Sequence, residues 1–255
     1  MYSWLHQLLS DKTGGTVFAC FGPWHFLYLT VIFGGIIATL LLLRKGTQKQ
    51  KQRAIGIAIS IAFGLYMADF FLMPFAYGRI DIEKLPFHIC TTMCIMCFLS
   101  RYDRHLAKWK HQLAILGLVS NIIYVLYPAG VGWYQIHPLS YRAVQTLLFH
   151  GAMTAYGIFV LAFEDVNLTW KRCYRELPLI VAMTLWALLG NTLYNASTEQ
   201  YDYFFNWFFV VRDPFYLLPA DISPYVMPFL MVLAIWAAVL LVYAAYFGLR
   251  KCFRK

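Results

Sequence analysis

The chain has 255 residues, 61% of them hydrophobic and 13% charged, with a net charge of +9 and a mean hydropathy of +0.59. So little polar surface excludes a soluble domain of this length. Basic residues scattered over short loops, with no recognition motif, exclude a nucleic-acid-binding protein.

What remains is an integral membrane protein. Backbone groups in lipid must bond internally, so its long apolar runs must be helices. Residues 2–9 form a short Trp- and Leu-rich stretch with no basic start and no small-residue cleavage site. They read as an interfacial helix rather than a signal peptide. Seven apolar spans follow, at 24–43, 54–75, 86–100, 111–126, 138–163, 177–193 and 224–249. The fold class expected is therefore all-α: a polytopic bundle of about seven transmembrane helices forming a single integral membrane domain over 1–255. The third and fourth spans are short for a bilayer of roughly 30 Å.

The basic residues give an expected orientation. Arg44, Lys45, Lys49, Lys51 and Arg53 follow the first span, and Arg101, Arg104, Lys108 and Lys110 follow the third. Lys171, Arg172 and Arg175 follow the fifth, and Arg250, Lys251, Arg254 and Lys255 close the chain. The positive-inside bias then puts the N-terminus outside and the C-terminus in the cytoplasm, where these residues attract anionic lipid. Residues 194–223 carry Tyr201, Tyr203, Phe204, Phe205, Trp207, Phe208 and Phe209. That is too aromatic for a free loop; the stretch either lies in the outer aromatic belt, the simpler reading, or folds back as a lid. Asn195-Ala196-Ser197 is a glycosylation sequon that matters only in a eukaryotic secretory pathway.

Ionisable groups inside spans are functional candidates by default. Asp69 lies about 24 Å across from the basic end of its span, and a nearby cation such as Arg79 is its structural partner if it has no other role. His150 is the deepest, about 18 Å into the fifth span. Asn121 sits at similar depth, Asn191 lies towards the outside, and His25, His88 and His137 mark outer helix ends. Cys90, Cys94 and Cys97 form one stripe at i, i+4, i+7. Cys94 and Cys97 read as small hydrophobes packed between helices. His88 with Cys90 matches no standard zinc spacing, so no metal is expected. In Leu85-Pro86-Phe87-His88-Ile89-Cys90, Pro86 suits the first turn of a helix. Cys90 then falls where helix N–H groups favour a thiolate. A Cys activated by a His is a common nucleophile–base pair. On ideal helices Cys90 lies only about 7 Å in, so it meets His150 only if the third helix starts deep.

Phe21-Gly22-Pro23-Trp24-His25, the Leu85 to Cys90 motif, the His137-Pro138 to His150 stretch and the looser Gly190-Asn191 to Pro224 region resemble the YwaF-type bacterial integral membrane family. That family is similar to the transmembrane protein 164 acyltransferases and, more distantly, to the androgen-induced fatty-acid-ester hydrolases. The resemblance covers most of the chain. It implies a helical bundle with an intramembrane nucleophile and a His acting on acyl esters of lipids. Cys90 would be the nucleophile and His150 the base, with His88 orienting or replacing either.

Three functions follow as expectations. The first is a lipid acyltransferase or acyl-ester hydrolase. Its partners are membrane phospholipids and an acyl-lipid substrate, and it uses no metal or organic cofactor. Asn121, Asn191 or a backbone N–H would serve the oxyanion, and Asp69, His25 and His137 would line the substrate site. The second is a transporter or sensor using Asp69 and His150, although no inverted repeat is visible. The third is a structural protein whose polar groups join helices.

Overall fold

The structure, a computed structural model, describes residues 3–10, 15–78, 82–133, 135–166, 168–197 and 205–253. Over these it is all-helical, with no strand among the described residues. The helices are α1 (Ser3–Leu9), α2 (Pro23–Leu43), α3 (Gln48–Tyr77), α4 (Ile89–Leu99), α5 (Arg104–Ala107), α6 (Lys110–Leu126), α7 (Ala129–Trp133), α8 (Tyr141–Phe163), α9 (Glu176–Ser197) and α10 (Ser223–Phe253). Among the described residues six stretches are long and apolar enough to cross a membrane: Pro23–Leu43, Gln48–Phe75, Lys110–Gly132, Tyr141–Phe163, Trp170–Asn195 and Ser223–Gly248. The protein is a multi-pass integral membrane protein.

The expected span without a counterpart is the third, where α4 lies, and α4 is too short to cross. Its 11 residues reach about 16 Å against a hydrocarbon core of roughly 30 Å. The reason lies in how the chain reaches it. Gly78 caps α3 in the left-handed region (φ 70°), its N–H donating to the Pro74 carbonyl. By Lys84 the chain has come back along α3. Tyr66 Oη donates to the Lys84 carbonyl (2.9 Å), and Lys84 Nζ pairs with Asp69 at 2.7 Å. Tyr66 is about 16 Å of helix before the end of α3, so much of the return is made before α4 begins. Further on, Phe98 stacks on Phe63 (3.9 Å, 5°) and Arg101 Nη1 donates to the Gly56 carbonyl (2.8 Å).

Other span boundaries move: the second starts at Gln48 rather than 54 and the sixth at Trp170 rather than 177. The fourth is not short, because a turn at Pro128 and α7 extend α6 to a 23-residue span ending at Gly132. The fifth starts at Tyr141 rather than 138. Ser140 N–H bonds to the His137 carbonyl and Leu139 N–H to His137 Nδ1, making a turn before the helix. His150 is then about 14 Å into α8.

By contacts the chain forms two compact units, Met1–Lys84 with Cys94–Val166, and Leu85–Met93 with Asn167–Lys255. In the first, α8 packs on both α3 and α6. The run Gln112 to Val119 of α6 is buried on all sides, as expected of a helix apolar all round. Gly157 of α8 allows the closest approach: a Cβ there would stand 2.6 Å from Leu118 Cβ and 2.9 Å from the Ala114 carbonyl oxygen. Leu5 and Leu9 of α1 pack on Leu72 and Tyr141, leaving Trp4 exposed. By contrast α2 exposes Phe26, Leu27, Val31, Ile37, Leu41 and Leu42, an apolar face suited to lipid tails.

In the second unit, α9 packs on α10. Tyr243 Oη donates to Glu176 (2.8 Å), and Trp170 lies against Tyr243 and Phe247. Asp213 organises the approach to α10. Its carboxylate accepts from the N–H groups of Phe215, Leu217 and Leu218, while its own N–H donates to Ser223 Oγ. The Phe215 N–H first, with those of Leu218 and Leu217, outweighs burial and holds this carboxyl below the usual carboxylate range.

Candidate functional site

In the first unit two of the singled-out polar residues meet at His150, buried in α8. Its Nδ1 is 2.7 Å from Asn121 Oδ1. Asn121 Nδ2 donates to the Gly117 carbonyl (2.7 Å) and to Ser120 Oγ (3.1 Å). A carbonyl can only accept, so the amide orientation is fixed and Oδ1 faces the imidazole. The Nδ1 atom must then be the donor, and in the neutral ring the lone pair sits on Nε2. The Tyr124 ring stacks on the imidazole at 4.0 Å and 16°, and Thr154 Oγ donates to the His150 carbonyl. Asn121 and Tyr124 are three apart on α6, one face of the helix. The structure thus brings together two residues that the sequence singles out separately. It adds Tyr124, which sequence reasoning missed although its spacing from Asn121 pointed to it. A His held in one tautomer by a neutral amide acceptor is how base and orienting group pair in Cys-His-Asn enzymes.

The second unit holds His88, Cys90 and Asn191. The helix does not begin at Pro86 as expected. The Phe87 N–H turns back to the Leu85 carbonyl (2.7 Å), and the Pro86 carbonyl accepts from Trp186 Nε1 (2.7 Å) and Thr92 Oγ (2.6 Å). With that oxygen engaged elsewhere, α4 starts at Ile89. Cys90 remains in its first turn, half-buried and outside any disulfide. His88 stands just before the helix. Its Nδ1 accepts the Phe208 N–H (3.2 Å), which leaves the proton of the neutral ring on Nε2.

That Phe208 N–H belongs to a strap, residues 205–212, folded back on the end of α9. Asn191 grips it at both ends of its amide, accepting the Trp207 N–H (2.9 Å) and donating to the Trp207 carbonyl (3.0 Å). Asn195, one turn on, does the same to Phe205 at 2.8 and 2.9 Å. Two side-chain amides four apart on a helix imitate a neighbouring strand for residues two apart on the strap. Asn206 closes the turn by accepting from Val211 and Arg212. Phe205 stacks on Trp207 (4.6 Å, 9°), and Trp207 lies 5.0 Å from Phe87. Phe208 and Phe209 are held at φ 59° and 53°, a left-handed conformation that bulky residues adopt only under constraint. The described part of the aromatic stretch is therefore a folded-back strap rather than a belt; Tyr201, Tyr203 and Phe204 lie outside the described residues. The Asn pair at i, i+4 was the missed signal.

Of the other singled-out residues, His25 and His137 hold backbone. His25 accepts the Phe21 N–H at Nδ1 (2.9 Å) and donates from Nε2 to the Val125 carbonyl (3.0 Å). His137 Nδ1 accepts the Leu139 N–H. Asp69 pairs with Lys84; Arg79, the partner expected, lies outside the described residues. Cys94 and Cys97 are fully buried. Among the described residues no three His, Cys, Asp or Glu are placed to hold a metal.

One cluster went unnoticed in the sequence: Glu164, at the end of α8. It meets Lys110, His111 Nε2 (3.2 Å) and Gln52 Nε2 (3.0 Å). Burial raises its carboxyl, but hydrogen bonds from His111, Lys110 and Gln52 outweigh that and bring it to about 2. The adjacent acids Glu164-Asp165 among basic loops were its signal.

A family model described as the TMEM164 family matches residues 20–248, nearly the whole described chain. No curated protein and no solved structure matches.

Proposed function

The chain belongs to the TMEM164 family, and from that premise we propose that it is an intramembrane acyl-transfer enzyme acting on ester-linked lipid acyl chains, with Cys90 as nucleophile and His150 as base. The observation that carries the reading is the His150–Asn121 pair, which fixes the tautomer and puts the basic lone pair of the neutral imidazole on Nε2.

His150 Nε2 takes the Cys90 thiol proton as sulfur attacks the ester carbonyl. The tetrahedral intermediate collapses, the alkoxide of the leaving lipid takes that proton back, and a thioester remains. An acceptor hydroxyl, or water, then gives its proton to Nε2 and attacks the thioester, and the thiolate leaves to be reprotonated. The oxyanion is stabilised by first-turn N–H groups of α4 and by the Nε2 proton of His88. Asn191 acts as a positioning residue, through the strap whose N–H fixes the His88 tautomer. His25 and His137 position backbone, and Asp69 holds Lys84 through its side chain. No step uses a metal or organic cofactor. The substrates are membrane phospholipids carrying the acyl chain. The basic loops face the cytoplasm and the N-terminus the outside.

The test is covalent. Purified protein in lipid nanodiscs is given a phospholipid with a labelled acyl chain, and peptides are mapped. A hydroxylamine-sensitive label on Cys90, absent in Cys90→Ser and slowed in His150→Ala, supports the reading. Turnover of the lipid by the Cys90→Ser variant at the wild-type rate overturns it.

A further inference from the structure

At the basic end of α3 an open groove runs along one helix face, lined by Arg53, Gly56, Ile57, Ser60 and Ile61, with Arg101 closing one side. Arg53, Gly56, Ile57, Ser60 and Ile61 follow the i, i+3, i+4, i+7, i+8 pattern of a single face. Gly56 sets the geometry. A Cβ there would stand 2.7 Å from both Nη1 and Nη2 of Arg101. Its absence lets the guanidinium lie on the helix and donate to the Gly56 carbonyl. One N–H of Arg101 is used in this way, and the rest of its fork remains for another acceptor. Neither Arg53 nor Arg101 is ion-paired with an acid among the described residues. Ile57 and Ile61, about one and two turns further along the membrane-crossing stretch, are half exposed.

We propose that this groove binds an anionic glycerophospholipid, with its phosphate held between Arg53 and Arg101 and an acyl chain laid along Ile57 and Ile61. The two guanidiniums match a phosphate bidentately. The isoleucines continue from the charged end in the direction that a lipid tail takes from its headgroup, and they give a soluble anion nothing to bind. Along α3 the charged end of the groove, at Gly56, is about 15 Å from Tyr66 and its apolar end, at Ile61, about 8 Å; the Tyr66 ring lies a further 6.4 Å from that of Phe149, the neighbour of His150. The lipid is therefore a bound partner apart from the His150 region, and the proposal is independent of the acyl-transfer reading.

Native mass spectrometry of the full-length protein in detergent, titrated with phosphatidylglycerol and with phosphatidylcholine of the same chains, tests it. Wild type should retain phosphatidylglycerol preferentially. Arg53→Gln with Arg101→Gln should weaken that retention roughly tenfold or more. Arg53→Gln alone, an exposed residue, should weaken it less while leaving the fold intact. Lys49→Gln with Arg104→Gln removes the same charge outside the groove and should change nothing. Equal losses in both double variants would reduce the effect to diffuse charge and overturn the site. So would unchanged retention in Arg53→Gln and the groove double variant. Displacement of the lipid by millimolar inorganic phosphate would overturn the lipid assignment, since the isoleucines would then contribute nothing.

Discussion

The region around His150 and the region around His88 solve opposite problems. At His150 the backbone is regular helix, and the polar side chains bond one another between closely packed helices: imidazole to amide, amide to the carbonyl one turn back. At His88 the backbone is irregular on both sides, and the side chains bond backbone: Asn191 to Trp207, Asn195 to Phe205, His88 to Phe208. The first arrangement fixes a proton position with no strain in the main chain. The second holds two bulky residues at positive φ, each costing on the order of 1–3 kcal/mol that the surroundings must offset. A base whose tautomer must not change suits the first. A segment that must keep one conformation against its own preference suits the second.

The largest effects should separate chemistry from scaffold. His150→Ala should lower acyl transfer by roughly 10²–10⁴-fold, measured on labelled phospholipid in nanodiscs, and should also cost about 1–3 kcal/mol because the buried Asn121 Oδ1 loses its partner. Asn121→Leu should lower it less, because the ring remains but its tautomer is no longer fixed, and should cost about 1–3 kcal/mol through the buried Nδ1 proton left unpaired. If Asn121→Leu leaves the rate unchanged, the orienting role is wrong. Asn191→Ala should do the reverse in the other region. It strips the partners from a buried N–H and carbonyl of Trp207, a loss of roughly 2–5 kcal/mol. Limited proteolysis should then cut within residues 205–212 while His150 remains protected from modification.

A third measurement probes the far end of the first region. Glu164 carries a carboxyl lowered to about 2 in the folded state against an unfolded value near 4.3. Its contribution is complete above the unfolded value and is lost as pH falls towards 2, an upper figure of about 3 kcal/mol. Melting temperature in detergent should fall over that window in wild type, and the fall should be shallower in Glu164→Gln. Equal slopes in the two proteins would remove Glu164 from the account of acid stability.

Much of this was legible in the sequence because long apolar runs leave little freedom: six of the expected spans appear, with shifts of six or seven residues at the starts of the second and sixth and the end of the fourth. The role of α4 was not legible, since its length depends on Lys84 returning to Tyr66 and Asp69, a tertiary contact with no periodic trace. The nearby cation expected for Asp69 is there as Lys84, while Arg79, the one named, lies outside the described residues. His150 and Asn121 could be picked out by depth, but their mutual bond could not, because rotation of one helix about its axis is not set by hydropathy alone. The strap was legible only as an excess of aromatics. Its direction is set by two asparagines whose spacing means something only once residues 205 and 207 are known to face them.

The smallest predicted effect compares two glycines. At Gly157 an added methyl meets Leu118 Cβ and the Ala114 carbonyl, atoms fixed to the α6 backbone. Gly157→Ala should therefore cost about 1–3 kcal/mol by separating α6 from α8. It should lower the rate only as far as Asn121 moves from His150. At Gly190 the same methyl meets the Phe87 ring at 2.4 Å, and a ring can swing at a smaller cost. That ring, however, lies between Trp186 and Trp207 and is joined to His88. Gly190→Ala should therefore cost less stability, about 1 kcal/mol, but a larger share of the rate. Melting temperature and acyl-transfer rate, measured on both variants, give the ranking. If Gly157→Ala proves the more damaging to activity per kcal/mol lost, precision in this protein resides in the helix packing around His150 rather than in the strap.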